Sequence, residues 1–598
     1  MLKRLLLFIT LIIATYTTAT SVDYAIKMPK PQNHYFEVKM SIGDIGGKSI
    51  DIKMPVWAPG SYMVREFSKN INLVKAYNED KKPLIVSKTN KNTWNIKREG
   101  SDSIIVKYEV YAFELSVRTS FLDASHGFIS GTSIFMYVDG QKENPGKLDI
   151  YPHEDFNTIT TPLKRSSDSI RYENAKTYYY ANFDQLVDSP IEIGNQEVFE
   201  FKAANVKHTV AMFGVGNYDV AKLQQDMKRI VETATNVFGE NPNKEYTFII
   251  HNVVDGQGGL EHTNSTTLSV NRWGYEGKDY FDFLSLVAHE YFHLWNVKRM
   301  RPIELGPFNY DEENYTSLLW VMEGFTSYYD ELIMRRAGFF TEQEYLQKFN
   351  STLNYLEGSE GRKVQPVAHA SFDAWIKGYR PNENSANTSM SYYSNGHVLA
   401  AILDIKIIAK FDGDKCLDDF LQVLYRKFYK KEKRGFTEKE FEQSLSDFLK
   451  QDMNDFLNKY VYDTKVPNYT DIFSSVGVKV EYTGQKKTAL GIGYNKDNNN
   501  AIIKSVRVNS AAENGGLSVN DEIIGFNGFR INGSSLEASL SALKPNQDFN
   551  LLIARDEILM DLPLKMGEYE QISYKLTPDN TSDKINLYSQ WLKKDFLK

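Results

Sequence analysis

The spacing of apolar residues changes twice along this chain, and those changes constrain its architecture more than any other feature. From residue 22 to about 201, short β-type runs at 35–42, 49–53, 103–112 and 134–138 alternate with Gly- and Pro-containing turns. Short strands at regular spacing predict a β-sandwich-like domain. Beyond residue 203 the period becomes helical, at 220–238, 280–297, 316–337, 341–357, 396–409 and 417–428, with one strand at 246–251 and a Gly-rich turn at 256–259. After residue 474 β-type runs return at 501–508, 522–526 and 549–554 around a helix near 535–543. A chain of 598 residues exceeds what one core can organise. The expectation is therefore a multidomain α+β protein: a signal segment at 1–20, a β-rich domain at 21–202, a mixed domain with a helical lobe at 203–473, a small domain at 474–566, and a tail at 567–598.

Residues 1–20 open with Lys3 and Arg4, continue with an apolar run over 5–14, and end in Thr17, Thr18, Ala19 and Thr20. That order predicts a secretory signal peptide and an exported product, in a periplasm, a cell envelope or the medium. The run is shorter than the roughly 20 residues a spanning helix needs, and no later segment could span a bilayer once the signal is removed. Cys416 is the only cysteine, so stability must come from packed cores. The 70 basic and 77 acidic residues are mixed along the chain, for a net charge of -7, so no polybasic face announces a nucleic acid partner.

One motif carries chemistry directly. His289-Glu290-Tyr291-Phe292-His293 lies in an apolar helical run. Residues four apart share a helix face, so His289 and His293 can aim two imidazoles at one ion with Glu290 beside it. A catalytic Zn²⁺ takes three protein ligands and leaves a position for water. The third ligand must come from elsewhere, and Glu323 in the next predicted helix interrupts an otherwise apolar face, where a lone carboxylate would be costly to bury. Glu312 and Glu313 are weaker competitors, because they precede that helix in a polar loop.

These residues give the chain a resemblance. Met54-Pro55-Val56-Trp57-Ala58-Pro59-Gly60-Ser61-Tyr62, the extended zinc helix from His289 to Pro302, and Glu323-Gly324-Phe325-Thr326 resemble the glycyl aminopeptidases of the gluzincin metallopeptidases. That family joins a β-rich N-terminal domain, a thermolysin-like catalytic domain with a helical lobe, and a C-terminal PDZ domain. The resemblance implies one catalytic Zn²⁺ held by His289, His293 and Glu323, and Glu290 as the base. Zinc lowers the pKa of bound water to about 7, so an adjacent carboxylate can take the proton and pass it to the leaving amine.

Gly258-Gly259-Leu260-Glu261-His262 precedes a strand-like run. Glycines let a peptide backbone approach, and a carboxylate beside them can pair with an α-ammonium group. The segment resembles the Gly-x-Met-Glu-Asn element of related aminopeptidases, with Leu260 and His262 replacing Met and Asn, which carries over Gly258, Gly259 and Glu261 as the substrate anchor. Tyr392-Tyr393-Ser394-Asn395-Gly396 resembles that clan's Tyr-x-x-Gly element and implies Tyr393 as the oxyanion donor, although Asn395 replaces the usual Lys. Leu490-Gly491-Ile492-Gly493 with Ser510 to Leu517 resembles a PDZ domain, whose loop would meet peptide C-termini. The expected enzyme is a zinc aminopeptidase acting on peptides with a free N-terminus, and the resemblance implies small first residues such as Gly or Ala. A zinc endopeptidase guided by the PDZ domain and a catalytically idle peptide-binding protein are the alternatives, and retention of Glu290 beside both histidines argues against the second.

Overall fold

The computed structural model describes residues 21–43, 45–167, 175–495 and 500–593, so the expected signal segment lies outside the described residues. Period-two alternation does produce strands in the N-terminal region. Tyr35–Ile42 buries Phe36, Val38, Met40 and Ile42 on one face and pairs antiparallel with Ile104–Tyr111. Both belong to an eight-stranded sheet, accompanied by a four-stranded and a five-stranded sheet around one apolar core. The strand expected at 134–138 shrinks to Tyr137–Val138, because a 3-10 turn at Gly131–Ser133 precedes it and sends Phe135 and Met136 straight into the core.

The sheet of the catalytic domain starts slightly before residue 203, at Glu197. Strand β1 (Glu197–Ala203) pairs antiparallel with β2 (Val206–Phe213), and helix α1 (Val220–Phe238) comes next, capped by the Asp219 side chain and closed by Gly239. Strands β3 (Glu245–Val253), β4 (Gln257–Glu261) and β5 (Ser265–Asn271) complete five strands in the order β1-β2-β3-β5-β4. The segment read as a Gly-rich turn is therefore corrected: most of it is β4, an edge strand paired antiparallel with β5. Glycine weakens a strand interior, but an edge tolerates it and lets a second backbone come close.

Helix α2 (Gly277–Phe292) packs Leu284, Val287, Ala288 and Tyr291 into the main core. The Tyr291 hydroxyl lies 2.9 Å from His208 Nε2 on β2 and accepts from Asn241 Nδ2 at 2.7 Å, so α2 is bolted to the sheet. Phe292 stacks on Tyr329 with ring centroids 4.5 Å apart. Tyr329 belongs to α3 (Phe325–Arg336), which continues from one π turn at Trp320–Gly324. A π turn frees backbone carbonyls from the regular ladder. Here Asn296 Nδ2 donates to the carbonyls of Val321 and Met322, both at 2.9 Å, from a fully buried position. The turn also touches helix α4 (Tyr392–Lys410) backbone to backbone, since a Cβ on Gly324 would overlap Gly396 and a Cβ on Gly396 would overlap the Trp320 carbonyl.

The C-terminal domain has its own core, from Leu490 to Met566. The segment expected to be a tail is instead part of the fold. Gly567–Gln571 pairs with Gln485–Ala489, and Tyr574–Pro578 pairs with Val478–Tyr482. Leu576, Tyr588 and Trp591 enter the catalytic core, and Trp591 Nε1 donates to the Tyr328 hydroxyl at 2.8 Å. The small domain is thus an insertion held at both ends, and the apolar spacing of 574–592 comes from burial against the helical lobe.

The Gly324–Gly396 contact is predicted to tolerate no side chain. Gly324→Ala should cost about 1–3 kcal/mol, as overpacking does, whereas Gly46→Ala, exposed with nothing within 4 Å, should stay within about 0.5 kcal/mol. Thermal unfolding of the two variants checks this.

Candidate active site

The fold brings the sequence-predicted zinc residues to one point. His289 and His293 Nε2 lie 3.2 Å apart, and Glu323 Oε2 is 3.6 Å from the first and 3.2 Å from the second. Ligand atoms about 2.0 to 2.1 Å from one tetrahedral ion stand about 3.3 Å from each other, so the three donors are spaced for a single cation. The other ring nitrogens are fixed: His289 Nδ1 lies 2.9 Å from Asp330 Oδ2, and His293 Nδ1 lies 2.8 Å from the Asn296 carbonyl. An Nδ1–H donated to these acceptors leaves a lone pair on each Nε2, which a metal requires. Burial opposes the charge on Glu323, but His293 and His289 outweigh it and hold the carboxyl below its ordinary value. The donor set fits zinc in number, type and orientation.

Glu290 does not join that set. It is 5% exposed, and its Oε2 has no partner among the described residues. Burial raises its carboxyl above the ordinary range, and the charges of Glu261 and Glu323 add to the rise while His289 and His293 oppose it. Glu261, Glu290 and His293 offer atoms within 4.8 Å of one another. Gly259 on β4 faces Glu290 so closely that a Cβ there would overlap the carboxylate. Glu261, two residues on, points to the same side of the strand and is 4% exposed.

The N-terminal domain forms a roof over Glu261. A Cβ on Gly60, whose φ is +87°, would stand 2.6 Å from Glu261 Oε1 and 2.7 Å from Leu260. The Met54–Tyr62 stretch owes its composition to this contact: Trp57 and Tyr62 pack edge-on against Trp375, and Pro59-Gly60 is pressed onto β4. His262 faces away from the cleft. Its Nδ1 lies 3.1 Å from Asp188 Oδ1 of the N-terminal domain, and Asp188 also accepts from Lys298 Nζ at 2.7 Å and the Thr263 amide at 2.8 Å. The His that replaces the usual Asn ties the end of β4 to its roof.

Tyr393 lines the same cleft of about 590 Å³ as Glu261, Glu290 and Glu323. Its ring is 6.4 Å from that of His289. Burial, then Glu323 and Tyr379, keep its phenol well above the ordinary value, so it remains a hydrogen-bond donor. Gly258 also lines the cleft, whereas Leu490 to Gly493 line an adjoining cavity between the C-terminal and catalytic domains. Glu312 and Glu313 do not enter the cleft lining.

Sequence reasoning did not reach Asp330, Asn296, Tyr379 or Arg118. Asp330 was readable, since it lies two helical turns beyond Glu323 on one face. Asn296 owes its place to the π turn, and Tyr379 and Arg118 arrive from distant segments. Asp330→Asn is predicted to lower zinc affinity about 10- to 100-fold, as loss of such histidine partners does, without unfolding the chain. Chelator competition against the parent enzyme measures it.

The sequence matches the peptidase M61 N-terminal domain over residues 23–195, the M61 glycyl aminopeptidase family over 282–399 and a PDZ domain over 488–566. Its fold is similar to the crystal structure of an aminopeptidase N family protein from Idiomarina loihiensis, at 29% identity and a TM-score of 0.88, covering 96% of this chain and all of that one. Looser similarity extends to an M1 zinc metallopeptidase from Deinococcus radiodurans (11% identity, TM-score 0.47, 75% of this chain and 96% of that one) and to yeast LTA4 hydrolase (13%, 0.48, 75% and 68%). At that level the likeness adds nothing to the reading of the site. No curated protein matches the sequence. The chain thus carries the M61 N-terminal and M61 glycyl aminopeptidase domains of a zinc aminopeptidase, with a PDZ domain behind them.

Proposed function

We propose that this enzyme removes small N-terminal residues, Gly or Ala, from peptides with a free α-amine, with one zinc ion per chain, and that it does so after export. The observation that carries the reading is Glu261: a buried carboxylate in the cleft, beside Glu290, that forms no ion pair within 4.0 Å among the described residues. Burying a charge without a partner is costly, and a substrate's α-ammonium removes that cost. The Pro59-Gly60 roof on Glu261 supports small first residues, because it narrows the space beside the amine. The basic, apolar and small residues of 1–20 support export. No helix among the described residues is long and apolar enough to cross a membrane.

Each side chain then has a separate task. Glu261 pairs with the α-ammonium and sets which peptide bond lies over the donor set. A zinc ion held by His289, His293 and Glu323 would supply the Lewis acidity that makes a water nucleophilic near neutral pH. Glu290 accepts that water's proton on its free oxygen and returns it to the leaving amine. The Tyr393 hydroxyl donates to the carbonyl oxygen as charge develops there, a contribution on the order of 3 kcal/mol. Asp330 and the Asn296 carbonyl keep both imidazoles aimed.

Two variants are expected to separate these tasks. Glu290→Gln should retain about one zinc and lose most hydrolysis, since an amide cannot accept the proton. Glu261→Ala should lower kcat/KM about 10- to 100-fold on free-amine peptides, the worth of a charge-assisted hydrogen bond, and leave the poor turnover of N-acetylated peptides unchanged. Parent enzyme that cleaves acetylated peptides as fast as free ones would establish an endopeptidase instead.

A further inference from the structure

The groove of the PDZ domain opens toward the catalytic domain, not toward solvent on the far side. A cavity of about 1430 Å³ is lined on one wall by Leu490 to Tyr494 and by Glu537 and Leu540 of the helix Gly533–Ser541. The opposite wall is catalytic: residues 358–360, 377–379, 385–387 and 389–393. Three residues, Arg118, Tyr379 and Tyr393, line both this cavity and the zinc cleft. The two spaces therefore meet at the phenol assigned to the reacting carbonyl.

The PDZ domain is also held in register with the active site. It is anchored at both chain ends by the strand pairs already described. Asn387 Nδ2 donates to the Val506 carbonyl at 2.8 Å, and its Oδ1 accepts from the Val508 amide at 3.0 Å, so one side chain mimics a paired strand residue. Arg507 adds an ion pair to Glu360. Asn387 lies a few residues before α4, the helix that carries Tyr393. Strand β6 (Ile492–Tyr494) pairs through one edge with β7 (Ile503–Val506), and among the described residues its other edge pairs with no strand. An open edge beside a loop of amides is what an extended peptide with a free carboxylate adds to. Arg118, at the junction, forms no ion pair among the described residues, and its Nε has no partner.

From this continuity, and resting on the aminopeptidase reading above, we propose that the PDZ groove is the distal part of the substrate site: a single extended peptide places its α-ammonium at Glu261 and its own C-terminal carboxylate at the Leu490–Gly493 loop. The peptide passes Tyr393 and Arg118 on the way, adding a strand to β6. The enzyme then favours short oligopeptides with both termini free over dipeptides and over protein N-termini, whose chains continue into a folded body. Each cleavage shortens the peptide, so it loses its hold on the groove once it no longer spans the passage.

The test uses the full-length zinc enzyme and a ladder of glycine- and alanine-rich peptides from two to about ten residues, each as the free acid and as the C-terminal amide. Beyond a threshold length, the acid is expected to exceed the amide in kcat/KM by about tenfold or more, mainly through KM, as loss of a charge-assisted bond implies. Leu540→Lys, which places a charge in the groove, and Asn387→Ala, which releases the domain from its register, should each bring that ratio for long peptides toward one. The ratio is internal to each variant, so a general loss of activity does not mimic the effect. Acid and amide handled alike at every length by the parent enzyme, or a ratio that survives both substitutions, overturns the proposal. If N-acetylated long peptides are cleaved as fast as free ones while the acid-to-amide ratio persists, Glu261 is misassigned and the groove assignment stands.

Discussion

Everything at this active site depends on a backbone contact between two helices. Gly324 and Gly396 let the π turn and α4 approach until the main chains touch. The turn sets Glu323 against two imidazoles from α2, and α4 sets Tyr393 over the same point. A π turn inserts a residue and leaves carbonyls without helical partners, and Asn296, three residues beyond His293, takes two of them. The helix bearing the histidines and the helix bearing the carboxylate are therefore locked to each other through the same residue that aims His293. A packing constraint, more than a propensity, places the third donor beside the two imidazoles.

The second determinant is the use of neighbouring domains to finish the cleft. The catalytic sheet offers only an edge strand, β4, with glycines that leave one side of it bare. The N-terminal domain closes that side with Pro59-Gly60, and the Asp188, His262 and Lys298 cluster fastens the closure. A carboxylate beneath such a roof is shielded from water, so its interaction with an incoming ammonium is stronger than at a surface. On the other side, the PDZ domain is tied down by its two chain connections and by Asn387, which makes its groove a fixed wall of the passage from Tyr393.

Much of this was legible in the sequence, and the exceptions have physical reasons. Helical spacing of His289 and His293 and the placement of Glu323 in an apolar run were enough to name the donor set, because a carboxylate buried in such a helix needs a cation to offset its lost hydration. The edge strand at 257–261 reads as a turn, since glycine suppresses every strand signal and only the pairing of Gly259 with Leu268 supplies the missing structure. The end of the chain reads as a tail because Leu576, Tyr588 and Trp591 are too widely spaced to suggest a core until they meet the helical lobe. His262 departs from the family element, and the reason lies in Asp188, a residue of another domain that no local pattern links to it. Arg118 and Tyr379 converge with Tyr393 from separate parts of the chain, which only the tertiary fold can reveal.

In the proposed function Glu261 receives the substrate's first residue while Tyr393 faces its carbonyl. A crystal structure of the zinc-loaded Glu290→Gln enzyme with a free-amine tripeptide tests this most directly. The expected result is an α-ammonium within hydrogen-bonding distance of Glu261, a first carbonyl oxygen near the Tyr393 hydroxyl, and a single zinc ion on His289, His293 and Glu323. A peptide whose main chain runs past Gly258 and Gly259 with its amine in solvent, leaving Glu261 untouched, would contradict it.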